Sequence, residues 1–345
     1  MTQALSTTSP ALAGLGWSPF FAEQLDPAET GMVPVRISVV HRSRLLAETG
    51  SGQVKLGLQG AGTNIVVGDW VLMDPATRMA VRRLERRTLL RRRSENARIP
   101  QLIAANVDTL FIVTSCNGDF NLARLERYLA FANEAGVDPV IVLTKIDQVA
   151  DAQSFRARAE VLQRGLAVVP LNARASGAAV ALAPWCVPGR TVALVGSSGV
   201  GRSTLLNTLA NKAAEEAQAT GGIREHDAKG RHTTTARSLH EIAGGGWVID
   251  TPGMRTMQVG DSGAGLEMLF AEITELAPDC RFRDCSHAHE PGCDVRAAVA
   301  AGDLPADRLD RWRKLHEENR TNVPSLPHYR STSSRPSSTG GRGRR

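Results

Sequence analysis

The sequence predicts a multi-domain fold: an N-terminal β-barrel, a central α/β unit on a parallel sheet, and a mostly helical C-terminal unit around a cysteine-rich loop. Three observations predict it. Residues 33–96 hold short runs rich in Val, Ile and Leu (VPVRISVV, QVKLGL, NIVVGDWVLM, MAVRRL) divided by Gly or Pro breaks, the spacing of a small antiparallel barrel. From residue 107 continuous apolar runs alternate with segments of helical period, as in a parallel sheet covered on both faces. Three cysteines then crowd between residues 280 and 293 amid helical patterning.

At 345 residues the chain exceeds one ordinary core, so two or three domains are expected. Apolar residues make up 42% and aromatics only 4%, so the cores must be aliphatic. The net charge of +6 leans toward polyanionic partners without establishing one. Five cysteines, unevenly spread, do not form a secreted disulfide framework. The opening MTQALSTTSPALAGLGW lacks the basic-then-apolar pattern of a signal peptide. No run approaches the ~20 apolar residues of a membrane span. These features place the protein in the cytoplasm, off the membrane.

Residues 1–32, rich in Ala, Ser, Thr, Pro and Gly, read as a flexible N-terminus with Trp17, Phe20 and Phe21 as docking candidates. Residues 33–97 make the barrel; the oligonucleotide-binding (OB) type fits, and the pattern also admits other small barrels. The central unit spans 98–260. VDTLFIVTSC opens it as a buried strand, and in LARLERYLAFANEAG the residues Leu122, Leu125, Leu129 and Ala132 share a helix face. PVIVLTKID is a second buried run; a helical stretch near 153–164 leads to AVVPLNA. TVALVG then enters a glycine-rich loop, STLLNTLA leaves it as a helix, and GGWVIDTPG is the last apolar run. Residues 261–325 are helical around the cysteines, and 326–345 form a disordered basic tail.

Chemistry is concentrated at strand ends. Residues 196–204, GSSGVGRST, nearly spell the phosphate-cradling loop G-x-x-x-x-G-K-[ST], with Arg202 in place of lysine. Gly196, Ser197, Ser198, Gly199, Val200, Gly201, Arg202, Ser203 and Thr204 lie between a buried strand and a helix, so their N–H groups converge on an anion. Ser203 is placed to reach Mg²⁺. Thr144-Lys145-Ile146-Asp147 follows a strand; its carboxylate can accept the paired N1–H and N2–H₂ donors of guanine, which adenine lacks, and Lys145 can lie on the base. Asn172-Ala173 follows another strand and backs the base. Asp250-Thr251-Pro252-Gly253 offers a carboxylate to Mg²⁺ through water and a glycine N–H to a γ-phosphate. Gly230-Arg231-His232-Thr233-Thr234-Thr235 can complete the magnesium shell with Thr233, Thr234 or Thr235. Each stretch alone admits an ordinary reading: a ligand-free turn, a helix cap, a polar loop. Several of them at the ends of predicted strands resist coincidence.

The base reader precedes the phosphate loop, whereas ordinary GTPases run the other way; the motifs are circularly permuted. Further on, DCRFRDCSHAHEPGCD supplies Cys280, Cys285 and Cys293 with His287 and His289 as competing imidazoles. Three thiolates and one imidazole make a closed tetrahedral set, as structural zinc requires; a metal-free loop of reduced cysteines is the alternative. Cys116 and Cys186 read as small core residues.

In these motifs and their order the chain resembles the ribosome small-subunit-dependent GTPase A family (RsgA), over roughly residues 33–320. The resemblance implies an OB-type barrel, a circularly permuted P-loop GTPase domain and a zinc domain, in that order. It implies GTP/GDP with Mg²⁺, one structural Zn²⁺ on Cys280, Cys285, His287 and Cys293, and a monomer acting on 16S rRNA within the 30S subunit. It points to His232 as the catalytic residue, since Met254 stands where many GTPases keep a water-orienting glutamine. It implies ribosome-stimulated hydrolysis in late 30S maturation. Arg202 departs from the family, being longer, planar and forked where lysine is a point charge. The competing function is therefore a hydrolysis-impaired, RNA-binding assembly factor with a nucleotide-dependent or vestigial switch; an ATP-dependent enzyme is disfavoured by Asp147. Thr144 and Asn172 are smaller departures, expected to loosen the base pocket. The DTPG segment leads straight into the zinc region, so nucleotide state is expected to move that end. Arginines at 82, 83, 86, 87, 91, 92, 93 and 98, at 281 and 283, and in the tail from Arg330 onward are expected to contact RNA phosphates.

Overall fold

Alternating apolar residues close residues 33–83 into a barrel. The computed structural model describes residues 10–41, 44–58, 64–92, 100–210, 237–251 and 262–322. Strands β1 (Val33–Val40), β2 (Leu45–Glu48), β3 (Gln53–Leu58), β4 (Trp70–Asp74) and β5 (Met79–Arg83) run in the spatial order β1-β2-β3-β5-β4, and β1 pairs with β4 to close the ring. This is a five-stranded barrel of the OB type. Val35, Ile37, Leu45, Leu56, Val71 and Ala80 fill it. Residues 89–92, inside the stretch expected to be barrel, pair elsewhere: β6 (Leu89–Arg92) forms an antiparallel hairpin with β7 (Gln101–Ala105).

The N-terminal segment departs from the flexible one expected. Helices α1 (Pro10–Gly14) and α2 (Pro19–Ala22) and a 3-10 turn at Pro27–Glu29 are ordered by tertiary contact. Leu12, Trp17 and Phe21 are buried against Trp70, Leu72 and Leu84 of the barrel's outer wall, while Phe20 stays partly exposed. Burial of Leu12, Leu15, Trp17 and Phe21, at about 1.5–3 kcal/mol each, offsets the entropy of fixing so short a segment.

The central sheet is built from buried runs. β8 (Thr109–Ser115), β9 (Asp138–Thr144), β10 (Ala167–Pro170), β11 (Thr191–Val195), β12 (Ser238–Glu241) and β13 (Trp247–Asp250) lie in the order β10-β9-β8-β11-β13-β12. All pairings are parallel except β12 with β13. Helices α3 (Leu122–Glu134), α4 (Ala152–Glu160), α5 (Gly177–Leu182) and α6 (Arg202–Leu209) connect them. Asn121 caps α3 by accepting from the Arg124 N–H at 2.9 Å. The expected face of α3 is turned inward: Leu125, Leu129 and Ala132 are buried and Leu122 is half-buried. β12 also meets β1, with Val39 opposite Ser238, so barrel and central unit share one sheet.

Two buried guanidinium groups fasten the units together. Arg36, on the outer face of β1, donates to the Leu15 carbonyl at 2.5 Å, the Thr191 hydroxyl at 2.7 Å and the Asn106 carbonyl at 3.3 Å. Burial pulls this guanidinium down to about 10, so it stays charged at neutral pH. In the C-terminal unit α7 (Gly263–Leu269), α8 (Ala271–Leu276), α9 (Asp294–Ala301) and α10 (Ala306–Asn322) follow. Gly265 lets α7 press on α3, where an added Cβ would lie 2.2 Å from the Ala130 carbonyl oxygen. Arg308 of α10 bonds Glu126 of α3 at 2.8 Å, Glu272 at 2.7 Å and the carbonyls of Leu162 and Leu269 at 2.8 and 2.7 Å. A buried ion pair is tolerable when further hydrogen bonds satisfy its donors in this way.

Candidate nucleotide site and metal centre

Parallel register places the strand ends level. Ser115 pairs with Thr144, Leu143 with Pro170, Val195 with Ile112, and Leu194 with Asp250. The Thr144–Asp147 segment, the Asn172-Ala173 turn, the 196–204 loop and Asp250 therefore leave one carboxyl edge of the sheet, where such sheets bind ligands.

The phosphate loop needs its glycines. Gly196 has φ +142°, and a Cβ there would sit 2.2 Å from the Val113 carbonyl oxygen; Gly199 and Gly201 have φ of +80° and +95°. Gly201 caps α6, so Arg202, Ser203 and Thr204 form its first turn, with N–H groups left over for an anion. Val200 anchors the loop in the core, while Ser198, Gly199 and Ser203 are exposed and Ser197 is half-buried.

Thr144 does more than end a strand. It is fully buried, and its hydroxyl donates to the Val200 carbonyl at 2.6 Å. That bond ties the Thr144–Asp147 segment to the 196–204 loop. Lys145 follows with φ +57°, a left-handed backbone that costs about 1 kcal/mol in a non-glycine residue. That turn swings Ile146 and Asp147 into a 3-10 turn, with Asp147 exposed. Asn172 spends its side-chain oxygen on the Arg174 N–H at 3.0 Å, stiffening its own turn, and the Ala173 carbonyl accepts from Thr208 of α6 at 2.8 Å.

Arg202 runs toward the exit of β13, its Nη1 3.3 Å from the Thr251 carbonyl. Thr251 is buried and donates its hydroxyl to Leu194. Burial pushes the Tyr128 phenol up, while the positive charges of Arg124 and Arg202 pull it back. Asp250 is half-buried at the end of β13. His232, Thr233, Thr234, Thr235 and Gly253 lie outside the described residues, as does Met254.

Sequence reasoning did not single out the turn after β8. Asn117 accepts there from the Ser115 hydroxyl at 2.8 Å and the Asp119 N–H at 2.9 Å, and Asp119 pairs with Arg124 at 2.8 Å. The end of the apolar run VDTLFIVTSC was the available signal, because β8 lies between β9 and β11.

In the C-terminal unit Cys280, Cys285, His287 and Cys293 gather with their ligand atoms all within 4.8 Å of one another. The Cys280–Cys293 sulfur separation is 3.8 Å, and His287 Nδ1 lies 3.6 and 3.4 Å from these two sulfurs. Tetrahedral zinc with its usual bond lengths needs edges of about 3.8 Å (S–S) and 3.6 Å (N–S), so the set fits the ion. His287 adopts φ +56°, its carbonyl accepts from Arg313, and its ring packs 5.1 Å from Trp312. Burial pushes its imidazole down, favouring the neutral ring a metal requires. The competing His289 is exposed and outside the cluster. Glu290 orders the loop by accepting from the Ser286 hydroxyl and from the backbone N–H groups of Ser286, Ala288 and His289, and these bonds, the Ser286 hydroxyl first, hold its carboxyl well below the usual range. Cys116 and Cys186 are buried elsewhere, and burial pushes the Cys186 thiol to about 12.

The arginine run needs correction. Arg82 pairs with Glu29 at 2.6 Å, Arg86 with buried Asp69 at 2.7 Å, and Arg87 with Asp108 at 2.5 Å. These arginines fasten structure and are not a free phosphate-binding face. Arg91, Arg281 and Arg283 are exposed; Arg93, Arg98 and the tail arginines lie outside the described residues.

A family model described as RsgA GTPase matches residues 83–265. The chain is 62% identical over 326 residues to the small ribosomal subunit biogenesis GTPase RsgA of Mesorhizobium japonicum, covering 94% of each chain. Its fold is similar to that of YjeQ from Thermotoga maritima, with TM-score 0.61, 24% identity, and 83% of this chain and 98% of that one covered. It is similar also to YloQ, described as a circularly permuted GTPase, with TM-score 0.59, 22% identity and coverage of 88% and 100%.

Two expectations follow. Thr144→Val removes the hydroxyl bridge at nearly constant volume, and guanine-nucleotide affinity should fall about 5–30-fold by calorimetry, the size of one buried hydrogen bond. An unchanged affinity would mean the bridge does not hold the loop. Purified protein should carry one zinc per chain by elemental analysis. Cys285→Ser or Cys293→Ser should lose it and lower the melting temperature, and His289→Ala should keep it.

Proposed function

The chain belongs to the RsgA GTPase family, and from that premise we propose that it binds and hydrolyses GTP as a factor in maturation of the small ribosomal subunit. The observation that carries this reading is the convergence of Asp147, the 196–204 loop and Asp250 on one sheet edge, with Thr144 joining the first to the second. Asp147 is the guanine reader, Lys145 flanks the base and Asn172-Ala173 backs it. The loop N–H groups and Arg202 take the phosphates. Ser203, one of Thr233–Thr235 and, through water, Asp250 would hold Mg²⁺, whose chemistry is neutralisation of phosphate charge. His232 is the proposed water-positioning residue. Cys280, Cys285, His287 and Cys293 would hold zinc, which supplies folding energy and no open coordination position.

The ribosomal partner is carried over from the relative's name, small ribosomal subunit biogenesis GTPase. Contact with 16S rRNA and stimulation of turnover by the 30S subunit complete the proposal. Among the described residues no helix is long and apolar enough to cross a membrane. A second reading, a nucleotide-dependent switch with impaired hydrolysis, draws on the path of Arg202 toward the Thr251 carbonyl.

Competition binding tests the first reading. GTP and GDP should displace a fluorescent guanine nucleotide while ATP does not, and Asp147→Ala should abolish the preference. The GTP-bound protein should co-sediment with 30S subunits. His232→Ala should bind GTP normally but turn over more slowly on the subunit; equal displacement by ATP, or no association with 30S, would contradict the proposal.

A further inference from the structure

The loop that carries the metal ligands presents an aromatic ring to solvent. Phe282 is 41% exposed, and it stands between Arg281 and Arg283, both exposed. The Arg281 guanidinium lies 5.5 Å from the ring centroid, within cation–π range. The ring is held on a short turn. Cys280 precedes it and Cys285 follows it, both in the metal set. The Phe282 carbonyl accepts from the Cys285 N–H at 3.3 Å, and the Arg281 N–H donates to the Gly292 carbonyl at 2.9 Å. Other aromatic groups nearby are engaged: Trp312 stacks on His316 at 4.9 Å and packs against His287. Phe282 is thus fixed at its backbone, with a ring that Arg281 flanks and solvent still reaches.

Charge alone does not explain the patch. The stretch Asp279–Asp284 reads DCRFRD, two arginines against two aspartates. It has no excess positive charge with which to track a phosphate backbone, and the ring is its exposed apolar surface. An exposed aromatic ring flanked by the Arg281 guanidinium suits an unpaired base, which stacks on aromatic side chains without sequence preference. We propose that Phe282 is a stacking platform by which the cysteine–histidine loop grips one unpaired nucleotide of RNA. This rests on the reading of the chain as a factor of the small ribosomal subunit, and replaces the phosphate-contact role expected for Arg281 and Arg283.

The test uses the full-length zinc-loaded protein, with binding to 30S subunits and to a short oligouridylate read by fluorescence anisotropy at several salt concentrations. Phe282→Ala should weaken both about 5–100-fold, the range for loss of one stacked base. The slope of affinity against salt should stay unchanged, because no phosphate contact is removed. Phe282→Trp and Phe282→Tyr should restore binding, and Phe282→Leu should behave like alanine. Zinc content and melting temperature should match the native protein in every variant. Native-like binding by Phe282→Ala would overturn the stacking role while leaving the ribosomal reading intact. Restoration by leucine together with loss of oligouridylate binding would replace RNA with an apolar protein partner. Failure of the native protein to bind 30S subunits at all would remove both readings.

Discussion

The level ends of the parallel ladder are the constraint from which the rest of this structure follows. Ser115 against Thr144 and Leu194 against Asp250 fix where each chain segment leaves the sheet. A slip of one residue would turn every side chain of a strand to the other face. It would also carry Thr144 away from the Val200 carbonyl it reaches at 2.6 Å. That hydroxyl joins two segments 56 residues apart in the chain. Circular permutation leaves this arrangement intact, because the ladder depends on spatial neighbours and not on chain order.

The flanking units are held to that edge by buried cations. Arg36 unites the N-terminal segment, the barrel, the linker and β11 through three acceptors. Arg308 does the same between α10, α8 and α3. Removing one partner from such a network leaves a buried charge or carbonyl unsatisfied, at a cost of several kcal/mol. Gly265 adds a steric lock between α7 and α3. The Cys/His unit is thus packed on the central unit, so any movement of that unit must carry or disengage α3. β12 pairs with both β13 and β1, which gives the barrel a direct sheet contact with the strand that follows residues 231–235 in the chain.

Much of this was legible in the sequence, for identifiable reasons. VPVRISVV, QVKLGL and the runs of the central sheet are rich in Val, Ile and Leu and bounded by Gly or Pro, so their strands match the structure almost residue for residue. β2 and β12 escaped notice because LLAE and SLHE are four residues each and owe their pairing to neighbours. Residues 10–32 looked loose because their helices are too short to be stable alone; Leu12, Trp17 and Phe21 are ordered only by docking on Trp70, Leu72 and Leu84. The arginine run looked like a phosphate-binding face because Glu29, Asp69 and Asp108 are distant in sequence. The zinc set was readable because its spacing is local, and geometry then separated His287 from His289.

Arg202 is where sequence and geometry bear most directly on activity. Its side chain is longer than lysine's, and its guanidinium bonds the Thr251 carbonyl beside Asp250. In the reading developed above it supplies phosphate charge from that position and the site remains a working GTPase. Single-turnover GTP hydrolysis on 30S subunits should be measured for the native protein and for Arg202→Lys, with nucleotide binding followed in parallel. Stimulated hydrolysis by the native protein, at a rate within about tenfold of the lysine variant, is the predicted result. Hydrolysis by the lysine variant alone, with both proteins binding GTP equally, would contradict it and leave a switch that binds without turning over.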